Sequence, residues 1–368
     1  MTKTGSAIAV LACAAIVLGI QASQPKGMAG AYTVISPIIE NNLTIFPVVT
    51  KSIHDTHMFL TLDEGIRSGQ VVVAEEGSGT GLIRPRPRDG RMPRDFPPAR
   101  GGAEVNRLTL TNNSERPLLL LAGEIVTGGK QDRVVGADRI ISAKSGPVDL
   151  GVFCVEPHRW TGASANFGAL GFSMAQPSVR LKAMAEKDQG QVWDEVAKSR
   201  MAVAAAVPAP VAGGLAQTSS YAATMQNRFV QDQVNSVAQP VERSYEKLLG
   251  ELRAQHAVGA VVAIDGQILW ADVFASPALF EAYWPKLVRS YATEAVEGRN
   301  VPAKIYNPPT VSNAQSFLDD LNARTENSES EPNLYRNTEL RGDYFEAFIL
   351  TSLLPGTGFD VHIAKMRN

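Results

Sequence analysis

PLLLLAGEIVTGGKQDRVVGADRIISAKSGPVDLGVFCVEPHRW, residues 117–160, is the stretch whose reading decides the fold. Residues 117–127 run almost wholly apolar, the pattern of a strand covered on both faces. Gly128-Gly129 reads as a two-residue hairpin turn, with 130–142 as the returning strand. A third strand, 148–156, follows the turn-rich 143–147. With the turn on the glycines, Thr127 opposes Lys130 and, stepping inward, Glu124 lies across from Arg133. Period two places Val148, Leu150, Val152, Cys154 and Glu156 on one face. Cys154 follows three apolar residues there and reads as core, because a free cysteine is among the most buried residue types.

The same stretch holds the densest set of chemically capable side chains in the chain. Glu124 and Glu156 read as an acid–base pair at the sheet end. Lys130, Gln131, Arg133 and Arg159 are candidate ligand-binding residues for an anionic group, and Trp160 offers a flat stacking face. The same residues read equally as a salt-bridge network joining strand ends.

Outward from this stretch, the 368 residues suffice for one large unit or two smaller ones. Lys plus Arg total 35 against 37 Asp plus Glu, a net charge of -2, so no global field favours nucleic acid. Residues 1–22 read as a secretory signal: Lys3 supplies the positive end and 7–20 a short apolar run. That run is too short for a confident membrane span. A periplasmic or secreted location follows, with no stable span after cleavage; a lipid anchor at Cys13 or an uncleaved N-terminal anchor is the alternative. Once the signal leaves, Cys154 is the sole thiol and no internal disulfide can form.

Residues 43–49 read as a strand, and Thr61 to Glu64 as a capping box opening a short helix. His54 and His57 lack a nearby third ligand, so no metal is expected, and no cofactor motif is present. Residues 77–103 form an Arg/Pro-rich loop that cannot fold alone, read as a solvated insertion or a docking point for a protein partner. A strand over 105–111 precedes the central stretch. Helices are expected over 178–186, 191–203, 222–237 and 241–256, with 202–216 as a linker. Val241, Tyr245, Leu248, Leu249 and Leu252 form one apolar stripe on the last of these.

Asp265-Gly266 is the strongest short-range hairpin signal, and Ser276-Pro277 opens a helix running to about Glu297. Its Leu279, Phe280, Tyr283, Trp284, Leu287, Val288 and Tyr291 stripe reads as core. A helix capped by Ser312 with Gln315, a polar loop over 326–337 and strands at 344–353 and 359–365 close the chain. The expected class is α+β: a β-rich N-terminal half with a sandwich-like antiparallel sheet, then a helical segment and a further β-hairpin packed on it.

Asn42-Leu43-Thr44-Ile45-Phe46-Pro47, Gly123-Glu124 with Gly129 to Arg133, Cys154-Val155-Glu156 with Arg159-Trp160, and Ala263 to Gly266 with Trp270 to Phe274 carry a resemblance. The chain resembles the ADP-ribosylglycohydrolase and rhodanese-phosphatase-superfamily-associated protein domain over about residues 40–295. That resemblance implies an α+β domain in ADP-ribose or nucleotide-linked metabolism. The chain thus divides into a signal (1–22), a family-like domain (40–297) and a C-terminal extension (298–368), the signal and the extension being departures from the family's simplest pattern. Two functions stand: an exported hydrolase-type enzyme acting on a phosphorylated, nucleotide- or sugar-containing small molecule, or a non-catalytic periplasmic or envelope-associated binding or structural protein.

Overall fold

The computed structural model describes residues 30–75, 108–128, 131–156, 166–298 and 307–368. The signal segment, the whole Arg/Pro-rich stretch 77–103, Lys130, Arg159 and Trp160 lie outside the described residues. The first half runs through β1 (Tyr32–Val34), β2 (Ile38–Glu40), β3 (Leu43–Thr50), β4 (Leu60–Thr61), helix α1 (Leu62–Arg67), β5 (Val71–Glu75) and β6 (Leu108–Asn112). Then come β7 (Leu118–Leu120), β8 (Glu124–Gly128), β9 (Arg133–Val135), β10 (Arg139–Ile141), β11 (Ser145–Asp149), β12 (Val152–Cys154) and β13 (Asn166–Met174). The helical segment holds α2 (Pro177–Leu181), a π-helical turn at Lys182–Glu186, α3 (Gln189–Ala205), α4 (Ala209–Gln217), α5 (Tyr221–Gln226) and α6 (Arg228–Ala254). β14 (Ala257–Ile264), β15 (Gln267–Phe274), α7 (Pro277–Gly298), α8 (Val311–Asp319), β16 (Thr325–Glu331), β17 (Tyr335–Arg341), β18 (Phe345–Ser352) and β19 (Asp360–Arg367) complete the chain.

These strands build three sheets. The largest has the order β1-β3-β14-β15-β19-β18-β17-β16, with β2 on β3; a second is β11-β6-β5-β13-β8-β9-β12; a third is β10-β7-β4. The fold is thus α+β. Leu60, Leu110, Leu118, Leu120, Val126, Val135 and Val152 form one core, drawn from the two smaller sheets. The main core joins the large sheet to α6 and α7 through Val262, Trp270, Phe274, Tyr283, Leu287 and Tyr291. The aromatic stripe of α7 is therefore core, as its spacing requires. The Asp265-Gly266 hairpin forms with Ile264 opposite Gln267 and both turn residues at positive φ, the geometry a two-residue primed turn demands. β16 to β19 belong to the same sheet as β3, β14 and β15, so residues beyond 298 complete that sheet rather than decorating it.

Several expectations give way. The apolar run 117–127 is two strands in different sheets, broken at Leu121 to Gly123. The break is paid for by side chains: Glu124 Oε2 accepts the Leu121 N–H at 2.8 Å, and Asp138 Oδ1 accepts the Ala122 N–H at 2.7 Å. Gly123 turns at φ +94°, and a Cβ there would lie 2.6 Å from Arg180 Cγ. Returning strand 130–142 likewise splits into β9 and β10. The hairpin is wider than two residues: Val126, not Glu124, opposes Arg133, and the Asp132 carboxylate helps close it by accepting the Gly128 N–H. Gly151, at φ +58° with its N–H held by Asp149, interrupts 148–156, so β11 and β12 pair with different strands.

Further along, the expected linker contains α4. The helices expected over 222–237 and 241–256 become short α5 and a 27-residue α6 that continues through Pro240. The 326–337 loop is the β16–β17 hairpin, whose polar side chains concealed it because β16 is exposed along its whole length. Helix α8 is capped by Thr310 with Asn313; Gln315 instead accepts the Val34 N–H.

Candidate functional site

Glu124 lies where β8 begins and is 1% exposed. Its Oε1 accepts from Lys286 Nζ of α7 at 2.6 Å, and the same ammonium meets Asp63 of α1 at 2.5 Å. The opposite charge for Glu124 thus comes from a helix distant in sequence, not from Arg133. Burial alone would lower the Lys286 pKa; Glu124 and Asp63 together outweigh it and hold the ammonium above the ordinary lysine value. Burial pushes the Glu124 carboxyl up, against the pull of Lys286.

Glu156 is fully buried at the far end of the central hairpin, where its Oε2 accepts the Asp132 N–H at 3.0 Å. Gln131 and Arg133, which flank Asp132 in sequence, are buried too, and Arg133 Nη1 donates to Gln131 Oε1 at 3.4 Å. Cys154 opposes Arg133 across β9 and β12 and is fully buried, as the alternation indicates. The structure therefore gathers Gln131, Arg133 and Glu156 at one strand end and gives Glu124 to a separate ion network.

A third network is absent from the sequence reading. His362 on β19 is fully buried, with Nδ1 2.6 Å from Asp138 Oδ2 and Nε2 3.1 Å from Asp272 Oδ1. Asp272 also takes a bidentate pair from Arg180 at 2.8 and 2.9 Å and the Tyr291 hydroxyl. An imidazole facing a carboxylate on each nitrogen donates twice only as imidazolium. Burial opposes that charge, but Asp138 and Asp272 prevail and raise the pKa to about 9. Burial would likewise raise Asp272, yet Arg180 and His362 hold it well below the carboxylate range. One signal was readable: Asp272 and Lys286 are charges at core positions of an apolar strand and an apolar helical stripe. Their partners are distant in sequence, so nothing local names them.

Carboxylates also meet in a cleft of about 300 Å³ lined by Ile264, Asp265, Gln267, Leu269, Glu294, Glu297 and Gly298. Glu294 and Glu297, three apart on α7, share a helix face; Asp265 enters from the β14–β15 turn, held by the Asn42 amide at 3.0 Å. The approach is close enough that a Cβ on Gly298 would lie 2.4 Å from Asp265 Oδ2. Glu297 Oε1 accepts from Gln176 Nε2 at 2.8 Å and from Ser199 Oγ at 2.5 Å. Its Oε2 has no partner among the described residues and remains for a proton or a ligand. Burial, then the Glu294 carboxylate, push the Glu297 carboxyl well above the ordinary range. Burial raises Glu294 too, but the Ser178 N–H at 2.9 Å works the other way. Two neighbouring carboxyls with unequal environments are the arrangement that separates an acid from a base. Among the described residues, no group of His, Cys, Asp and Glu has the arrangement to hold a metal ion.

The three sheets, antiparallel except for the β4–β7 pair, with their helical segment and these buried charge networks, define an α+β domain built around ionised side chains. The chain belongs to the ARG and Rhodanese-Phosphatase-superfamily-associated Protein domain family, whose model matches residues 31–364. The match takes in β16 to β18 and most of β19, in the segment the sequence marks as an extension. No curated protein and no solved structure matches the chain.

Proposed function

We propose that the chain is a hydrolase-type enzyme acting on a sugar-containing small molecule, with Glu297 and Glu294, rather than Glu124 and Glu156, as its acid–base pair. One observation carries this reading: Glu297, its carboxyl pushed well up by burial, lines an open cleft and keeps one oxygen without a partner among the described residues. Protonated Glu297 donates to the leaving oxygen or nitrogen of a glycosidic bond; Glu294, held by the Ser178 N–H, takes the proton of the attacking water. Asp265 and Gln267 are placed to hydrogen-bond sugar hydroxyls. The Asp265 and Glu294 carboxylates repel a phosphate, so a phosphorylated or nucleotide ligand enters sugar first, with its phosphate towards solvent. Reading ARG as ADP-ribosylglycohydrolase makes ribosyl compounds the first ligands to try.

Export to the periplasm or medium belongs to the same proposal, supported by the signal-like residues 1–22; no described helix is long and apolar enough to cross a membrane. Fractionation of cells expressing the full chain tests it, since recovery only with the cytosol would oppose export. A second reading, a non-catalytic envelope-associated protein, is favoured by Glu124 alone: both its oxygens are taken by Lys286 and the Leu121 N–H. A thermal-shift panel of ADP-ribose, nucleotide sugars and sugar phosphates separates the two. The enzyme reading expects a saturable rise in Tm for at least one compound, lost in Glu297→Gln while the ligand-free Tm stays near that of the wild type. Absence of any shift supports the non-catalytic reading.

A further inference from the structure

A second cleft, of about 220 Å³, opens between α6 and α7, shares no lining residue with the first, and is lined by Glu242, Tyr245, Glu246, Leu249, Glu281, Trp284 and Pro285. Its floor is aromatic: Tyr245 stacks on Trp284 with ring centroids 4.5 Å apart, and Phe280 meets both edge-on. The rest of the lining is rich in acceptors. Glu281 is occupied by Arg253, through bonds of 2.8 and 2.6 Å. Glu242 and Glu246, one turn apart on α6, enter no ion pair among the described residues. Pro285 adds a backbone contribution, for it has no N–H to offer the Glu281 carbonyl four residues before it. Among the described residues no lysine or arginine lines the cleft.

We infer that this cleft binds a small alkylammonium ion, its charged head over the Tyr245–Trp284 floor and its N–H groups donating to Glu242, Glu246 and the Glu281 carbonyl. The ring faces attract a cation and the methylene stem covers Leu249; Arg253, at the Glu281 side, is neutralised by that carboxylate, which leaves Glu242 and Glu246 to set the sign of the charge the cleft accepts. The binding is independent of the Glu294/Glu297 cleft and stands whether or not that cleft is catalytic.

Isothermal titration of the full chain with 1,5-diaminopentane, read in parallel through tryptophan fluorescence, tests it against the neutral 1-pentanol. Saturable binding of the diamine is expected, weakened at least about tenfold in Glu242→Gln/Glu246→Gln and weakened by added salt, with no saturation by the alcohol. Both glutamates lie outside the core, so the double variant keeps its fold, which a melt confirms. Absence of saturable heat with the diamine, or equal affinity in the double variant, would overturn the inference.

Discussion

Lys286 sits within the buried stripe of α7, 2% exposed, between two carboxylates. Removing one partner of a buried pair leaves an uncompensated charge, a loss of about 3–5 kcal/mol. Lys286→Met is therefore expected to lower unfolding free energy by about that amount in urea denaturation, with Glu124→Gln restoring part of it in the double variant. His362 makes a pH prediction. Although burial opposes it, Asp138 and Asp272 raise its pKa from the ordinary 6.5 to about 9 on folding. The stability it contributes is complete below about pH 6.5 and is lost as pH rises through about 9, a drop of roughly 3 kcal/mol. Asp272, depressed by Arg180 and His362, gives the opposite slope in acid, losing its contribution as pH falls below the ordinary carboxylate range. Urea midpoints from pH 6 to 10 check the first slope, and His362→Gln should flatten it.

At the scale of elements, the turn Leu121–Gly123 matters most, because it sends β7 and β8 into different sheets while its N–H groups are held by Glu124 and Asp138. Gly123→Ala adds a Cβ both at positive φ and against the Arg180 side chain. A loss of about 2–4 kcal/mol is expected, measured by chemical denaturation, with Gly146→Ala, where a Cβ meets nothing within 4 Å, as the neutral comparison. This turn also marks where the sequence stopped being legible. The hairpin at Asp265-Gly266 and the opening of α7 were readable because their signals are local: a φ-demanding glycine and a serine cap whose Oγ accepts the Leu279 N–H. The run PLLLLAGEIV hides its break, since the groups that stabilise it come from residue 138 and from a glutamate that looks like a strand residue. β16 was hidden for the reverse reason, as TENSESE carries no apolar alternation.

For the whole molecule, the large sheet unites the two ends of the chain: β3 lies beside β14, and β15 beside β19. The C-terminal segment also supplies His362, which links Asp138 of the first half to Asp272 of the second. Ending the chain at residue 306 would bare the β15 edge and leave both aspartates without the imidazolium. Such a truncation is expected to be insoluble or to lack a cooperative melt, while a soluble truncation with a near-native Tm would show that the segment is an appendage. The candidate site has the same long-range character. Gln131, Arg133 and Glu156 lie together, while Glu124, which the sequence groups with them, goes to Lys286; the Asp265, Glu294 and Glu297 cleft joins a hairpin turn to the end of a helix about thirty residues later, a meeting visible only in three dimensions.

The acid–base assignment is tested most directly by following glutamate carboxyl carbons by NMR across pH 3 to 10 in uniformly carboxyl-labelled protein, with Glu297→Gln to identify the resonance. One carbon titrating well above the ordinary glutamate range, absent from Glu297→Gln and moved when Glu294 is replaced by Gln, is the expected result. A Glu297 carbon that titrates in the ordinary range, unaffected by Glu294→Gln, would contradict the account.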